Sequence, residues 1–112
     1  MAIIYHIARE TAWNGPDPSA PYRGDSLASQ GFIHCSTRDQ VIRTANRYYR
    51  GQSGLVLLAI DEACLRSPLR YELGTHGENE LFPHLYGPLN RDAVVGVYPL
   101  QLAEDGTITY PA

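Results

Sequence analysis

Apolar residues recur along this chain with the period of a strand in several short runs and with the period of a helix in one. Residues 3–8 place Ile4, His6 and Ala8 on one face of an extended segment and Ile3, Tyr5 and Ile7 on the other. A helical turn around residues 9–13 is ended by Asn14-Gly15-Pro16, and residues 16–25, with Pro16, Pro18, Pro21 and Gly24, read as an ordered surface loop or lid. Residues 26–30 add another turn of helix. Residues 32–36 form a second strand with Phe32, His34 and Ser36 on one face. Thr37-Arg38-Asp39-Gln40 then matches a Thr-x-x-Gln capping box, and Val41, Ile42, Ala45, Tyr48 and Tyr49 make the apolar stripe of a helix closed by Gly51.

Residues 55–60 are continuously apolar, the pattern of a central strand buried on both faces. Asp61 caps a short helix through Arg66, which Ser67-Pro68 stops. Residues 69–73 form a weaker strand carrying Glu72. Residues 93–100 and 107–110 read as late strands, the last paired through the Glu104-Asp105-Gly106 turn. Several strands follow one another without a helix-length connection. This predicts an α+β fold with a curved, mixed or mainly antiparallel sheet and about two to four helices.

With 112 residues the chain has room for one domain, residues 1–112, around one core. At 44% hydrophobic and 19% charged residues the composition is that of a soluble globular protein. The net charge of -3 argues against a broad nucleic-acid surface, which needs clustered cations. No apolar run is long enough to span a membrane and no basic leader precedes one, so a cytoplasmic location is expected. All nine basic residues are arginine, which excludes a Schiff-base lysine, a lysine general base and a phosphate-loop lysine. Cys35 and Cys64 lack Cys-x-x-Cys spacing and sit in apolar or strand-like contexts, so both read as buried, reduced thiols.

Two clusters carry candidate chemistry. Gly31-Phe32-Ile33-His34-Cys35-Ser36-Thr37 puts a histidine and two hydroxyls where a strand gives way to a helix, so polar side chains and unpaired helix amides converge there. Phe82-Pro83-His84-Leu85-Tyr86-Gly87-Pro88-Leu89 holds a histidine and a phenol on a segment that proline and glycine keep irregular, with Leu81, Phe82, Leu85 and Leu89 as buried anchors. A histidine in an apolar strand is commonly satisfied by a main-chain carbonyl, and either His6 or His34 alone would read so. Two on neighbouring strands suggest more: His6, His34 and Ser36 are expected to project to the same side of the sheet and open on one cleft, with His84 or Tyr86 as a wall. Glu72, if it faces the histidines, orients one of them or stabilises a cation. Trp13 serves either as a staple for the first loop or as a ligand contact.

Other chemistries fit poorly. His76-Gly77-Glu78 has the His-x-Glu half of a zinc deaminase signature, but the Pro-Cys-x-x-Cys half is missing, and no His-x-x-x-His pair exists. A metal would need His6, His34 and His84 assembled across the fold, and none is expected. Strand alternation turns Cys35 away from His34, and Ser36 lacks the Gly-x-Ser-x-Gly elbow. The dinucleotide and phosphate-loop glycine motifs are absent.

With these motifs the chain resembles the small bacterial proteins grouped as domain of unknown function 952. The resemblance covers Tyr5-His6-Ile7, Trp13, residues 31–37, the helix ending near Tyr49, residues 55–60, Arg70-Tyr71-Glu72 and residues 82–89. More distantly it is similar to the ADP-ribosyltransferase-like folds, whose NAD cleft lies between the halves of a split sheet. That similarity implies that His6 matches a histidine holding the NAD ribose, and that His34 and Ser36 match the second motif of the RNA 2'-phosphotransferase branch. The chain departs from that pattern where Ile7-Ala8 follows His6, and it offers no clear match to the catalytic glutamate.

Two readings of function stand side by side. In the first the chain is a transferase-like enzyme acting on a nucleotide, NAD or an ADP-ribose derivative. His34, Glu72 and His84 would be catalytic, His6, Trp13, Ser36 and Tyr86 would bind substrate, and the start of the helix after Ser36 would face a phosphate. In the second the same cleft is a non-catalytic module for a small anionic metabolite. A chain whose histidines are merely structural is the remaining possibility.

Overall fold

The computed structural model describes residues 2–110. In chain order the elements are β1 (Ile3–Arg9), α1 (Glu10–Asn14), α2 (Ser26–Gln30), β2 (Ile33–His34), α3 (Arg38–Tyr48), β3 (Leu55–Asp61), β4 (Leu69–Leu73), β5 (Leu81–Leu85), β6 (Val94–Pro99), β7 (Gln101–Leu102) and β8 (Ile108–Thr109). Short 3-10 turns lie at Glu62–Cys64 and Arg91–Ala93. The result is α+β, and every ladder between these strands is antiparallel.

One sheet has the order β1-β3-β6 and the other β2-β5-β4, while β7 and β8 form a separate hairpin. β3 is buried from Leu55 to Ile60, which is why its sequence is apolar without alternation. On one side Leu58 and Ile60 pack with Ile4, Ala8, Ile33, Cys35 and Leu85. On the other Leu55 and Leu57 pack with Ile7 beneath Val41 and Ala45 of α3. The capping box at the head of α3 forms, the Thr37 amide donating to Gln40 Oε1 at 3.0 Å. Asn46 of α3 pins the terminal hairpin by exchanging bonds of 2.8 and 2.9 Å with the Ile108 main chain.

The two sheets meet at one point and then diverge, and Pro83 explains how. Residues 82–85 are not irregular but lie within β5, the middle strand of its sheet. Pro83 accepts the Cys35 amide at 3.0 Å through its carbonyl, yet it has no N–H to return. The β2–β5 ladder stops there. Ser36, whose polar main-chain groups point the other way, instead pairs with Tyr5 of β1, the two exchanging amide bonds of 2.7 and 2.8 Å. A single short segment therefore stitches the sheets together before α3 begins.

Two expectations about burial fail. Leu81 is exposed at the start of β5, whereas Phe82, Leu85 and Leu89 are buried. Cys35 is buried, but Cys64 is exposed in the 3-10 turn that Asp61 caps, where its thiol donates to Asp61 at 3.5 Å; both thiols are free. Among the described residues no helix is long and apolar enough to cross a membrane.

Candidate functional site

Where the sheets part, a cleft of about 440 Å³ opens, and His6, His34, His76 and His84, all the histidines of the chain, line it together with Ser36. The register does not put His6 and His34 on one face, as strand parity had suggested. Ser36 faces Tyr5, so His34, two residues back, shares the Tyr5 side, while His6 lies on the opposite side with Ile4 and Ala8. Both reach the same space because the sheet is open between them.

His6 occupies the fork of that opening. Its Nδ1 donates to the His34 carbonyl at 2.6 Å. In a continued ladder the Ile7 amide would meet that carbonyl after the Tyr5–Ser36 pair; the imidazole takes its place. Because Nδ1 must carry the proton, Nε2 accepts from the Tyr22 hydroxyl at 3.0 Å. Burial lowers the His6 pKa to about 4, in keeping with a neutral ring whose two nitrogens are both engaged. Tyr22 is held for this task by main-chain bonds of 2.9 and 2.7 Å with Leu89, and its own pKa is pushed up to about 12 by burial. His6 is thus the satisfied core histidine and a wall of the cleft at once.

His34 and His84 are directly opposed across β2 and β5, so their side chains share a face, with ring centroids 5.7 Å apart. His34 donates from Nε2 to Gln30 Oε1 at 2.7 Å, which leaves Nδ1 as the unprotonated nitrogen. Burial and then the neighbouring His84 and His76 hold its pKa below the ordinary value. Gln30 sits one helical turn before His34 in sequence, on α2.

His84 is buried to 2% exposure and stacks on Phe32, ring centroids 4.2 Å apart. Glu72 of β4 accepts its Nδ1 proton at 3.1 Å, and the Tyr86 hydroxyl donates to the same carboxylate oxygen. Those two bonds, Tyr86 first, hold the Glu72 carboxyl below its usual range. His84 Nε2 is buried with no partner among the described residues. Glu72 and Tyr86 do not line the cleft; they stand behind His84 and set its tautomer. Trp13 is likewise outside the cleft, packing on Tyr22 and under the Arg91 guanidinium, where it steadies the first loop.

The start of α3 does not face the cleft. The Gln40 and Val41 amides bond back to the Thr37 carbonyl, and the second half of the helix, through Thr44 and Tyr48, forms the wall. Arg9, paired with Asp25, is the cationic side chain of the lining, which also holds Glu78. Glu78 accepts from the Tyr48 hydroxyl at 2.7 Å, and that bond lowers its pKa. Among the described residues no three His, Cys, Asp or Glu side chains are grouped to hold a metal. Gln30 and Tyr22 had no motif to reveal them, and Tyr48 and Glu78 stand in the sequence only as part of a helix stripe and of a failed metal signature, although the spacing of Gln30 from His34 is a usable signal.

The family model described as a protein of unknown function (DUF952) matches residues 7–97. Solved structures of protein CC0527 from Caulobacter crescentus are similar to the chain along nearly its whole length. The crystal structure of CC0527 is 34% identical, with a TM-score of 0.85 over 96% of this chain and 94% of that one. A crystal structure of its double mutant is 33% identical, with a TM-score of 0.84 over the same shares of 96% and 94%. The solution structure of CC0527 is 35% identical, with a TM-score of 0.79 over 96% of this chain and 91% of that one. No curated protein matches the chain significantly.

Proposed function

We propose that this chain, which belongs to the DUF952 family, is a transferase-like enzyme that takes a nucleotide of the NAD or ADP-ribose kind into its histidine-lined cleft and uses His84 to move a proton. The observation that carries this reading is the Glu72–His84 pair. With Nδ1–H engaged by Glu72, Nε2 stands at a buried position with no partner among the described residues. A buried nitrogen left unpaired costs stability, and a polar ligand group seated in the cleft would satisfy it. An imidazole oriented by a carboxylate is the arrangement of a general acid–base group.

Other features support the ligand class. The cleft volume of about 440 Å³ falls in the range of small-molecule sites, and Tyr48, Tyr49 and Phe82 supply faces for a planar ring. Loosening an N-glycosidic bond develops positive charge on the sugar, which a nearby carboxylate favours. Asp25 and Glu78 are the carboxylates of the lining; Glu72, behind His84, is a positioning residue. Arg9, paired with Asp25, is the cationic side chain that a diphosphate or any other anionic group would meet in the cleft.

Thermal-shift measurements with NAD, ADP-ribose and nicotinamide at millimolar concentration, followed by NMR detection of nicotinamide released from NAD, test the proposal. A shift with wild-type turnover that falls by about two orders of magnitude in His84→Gln is expected. Binding without turnover would make the cleft a non-catalytic module, and no response to any of these compounds would reject the nucleotide reading.

A further inference from the structure

Residues 74–80 connect β4 to β5, yet their contacts are with α3, on the far side of the cleft. Gly74, Thr75, His76 and Glu78 line the same cavity as His84. The base and the tip of this connection are held very differently. At the base the buried Gln40 side chain donates to the Leu81 carbonyl at 2.7 Å, with the exposed Arg43–Glu80 pair beside it. At the tip the ties are exposed: the Tyr48 hydroxyl on Glu78 at 2.7 Å and Arg47 Nη2 on the His76 carbonyl at 3.0 Å. Buried amide bonds persist, whereas exposed polar pairs contribute little and break readily.

The tip is also folded as a unit of its own. Glu78 accepts the His76 amide at 2.8 Å through Oε1 while Oε2 takes the Tyr48 hydroxyl. Gly77 supplies the left-handed turn at φ +81. A Cβ on Gly74 would come within 2.7 Å of Glu78 Cβ, so the glycine is what lets the Glu78 side chain lie over the neck. One carboxylate therefore shapes the tip and latches it.

We infer that residues 74–80 are a strap that closes the cleft over His84, hinged at its Gln40-held base and released at its tip when the Tyr48–Glu78 latch opens. Ligand entry and product exit would then require the latch to break, as in lids that gate other active sites. The inference rests on the reading of the cleft as a ligand site, but its test reads access to an imidazole and needs no substrate.

Diethyl pyrocarbonate acylates accessible imidazole nitrogens, and His84, which lines the cleft, has its Nε2 buried and without a partner among the described residues. His6 lines the same cleft with both nitrogens bonded, so it reports general loosening instead. A short pulse of the reagent on the whole protein, with peptide mass spectrometry, gives the two rates. In Tyr48→Phe, which removes the latch but not the folded tip, His84 should be acylated about fivefold faster, the factor matching one hydrogen bond of ordinary net strength, with His6 unchanged. Arg47→Ala should raise the His84 rate in the same way, and Arg43→Gln, at the base, should leave it alone. Equal His84 rates in wild type and both tip variants, a rise shared by His6, or an equal rise in Arg43→Gln would each overturn the strap. Failure to turn over NAD would leave these rates untouched.

Discussion

The His6 imidazole donates its Nδ1 proton to the His34 main-chain carbonyl at 2.6 Å and so fills the fork between β1 and β2. With Nδ1–H given to that carbonyl, the neutral ring accepts the Tyr22 hydroxyl on Nε2, and burial opposes protonation of that nitrogen. This makes the split of the sheet sensitive to acid.

The sign follows from the shift. The His6 pKa falls from 6.5 to about 4 on folding, so between those values the unfolded chain binds the proton and the folded one does not. The His6 contribution is complete above pH 6.5 and is lost as pH falls toward 4, by about 3 kcal/mol over that window. Urea midpoints measured at pH 7 and pH 4.5 should show this decline, and His6→Asn should be less stable at pH 7 with a flatter profile. A wild-type midpoint independent of pH over that range would contradict the lowered pKa of His6.

His84 should show the opposite balance of stability and function. Its Nε2 is an orphan, and its ring stacks on Phe32 at 4.2 Å, so His84→Phe removes an unsatisfied buried nitrogen while keeping an aromatic at that place. The variant is expected to be as stable as wild type or more stable by about 1 kcal/mol, and inactive in nicotinamide release. A loss of more than about 2 kcal/mol by chemical denaturation would mean that His84 is a structural residue.

Pro83 ends the β2–β5 ladder because it cannot donate. Pro83→Val should add a main-chain bond to the Cys35 carbonyl, giving residue 83 an amide that exchanges slowly in hydrogen-exchange NMR. A fast-exchanging amide at that position would mean that the sheets part for another reason.

The thiols should separate cleanly. Burial raises the Cys35 pKa to about 12, whereas Cys64 is exposed and its pKa is raised by its bond to Asp61. Maleimide at mild pH should label Cys64 in the native protein and reach Cys35 only with unfolding; rapid double labelling would show that the core beneath β2 opens.

Much of the architecture was legible because local rules governed it. The continuous apolar run at residues 55–60 could only be a buried strand, and Thr37 and Gln40 announced the head of α3. The motif residues His34, Ser36 and His84 do share a cleft. Pro83 misled, since proline normally interrupts strands, yet here its missing N–H costs β5 only the last return bond to β2 and so sets where that ladder ends. Of the two walls expected, His84 or Tyr86, His84 lines the cleft, while Glu72 orients His84 and shares its carboxylate with the Tyr86 hydroxyl from behind it.

The sequence by itself determined most of the strands, though not β5, with the main helix, the absence of lysine chemistry and the histidines that bear on the site, since these follow from periodicity, capping and composition. Tertiary structure alone decided which nitrogens are free. Tautomer and exposure depend on partners distant in the chain: His34 and Tyr22 for His6, Glu72 for His84, Glu78 for Tyr48. A hydrogen bond is specified by geometry over a few ångströms, and one residue type offers the same donors and acceptors wherever it stands. Only the folding of two sheets around a shared fork distinguishes the imidazole that holds the structure together from the one left with a nitrogen to spare.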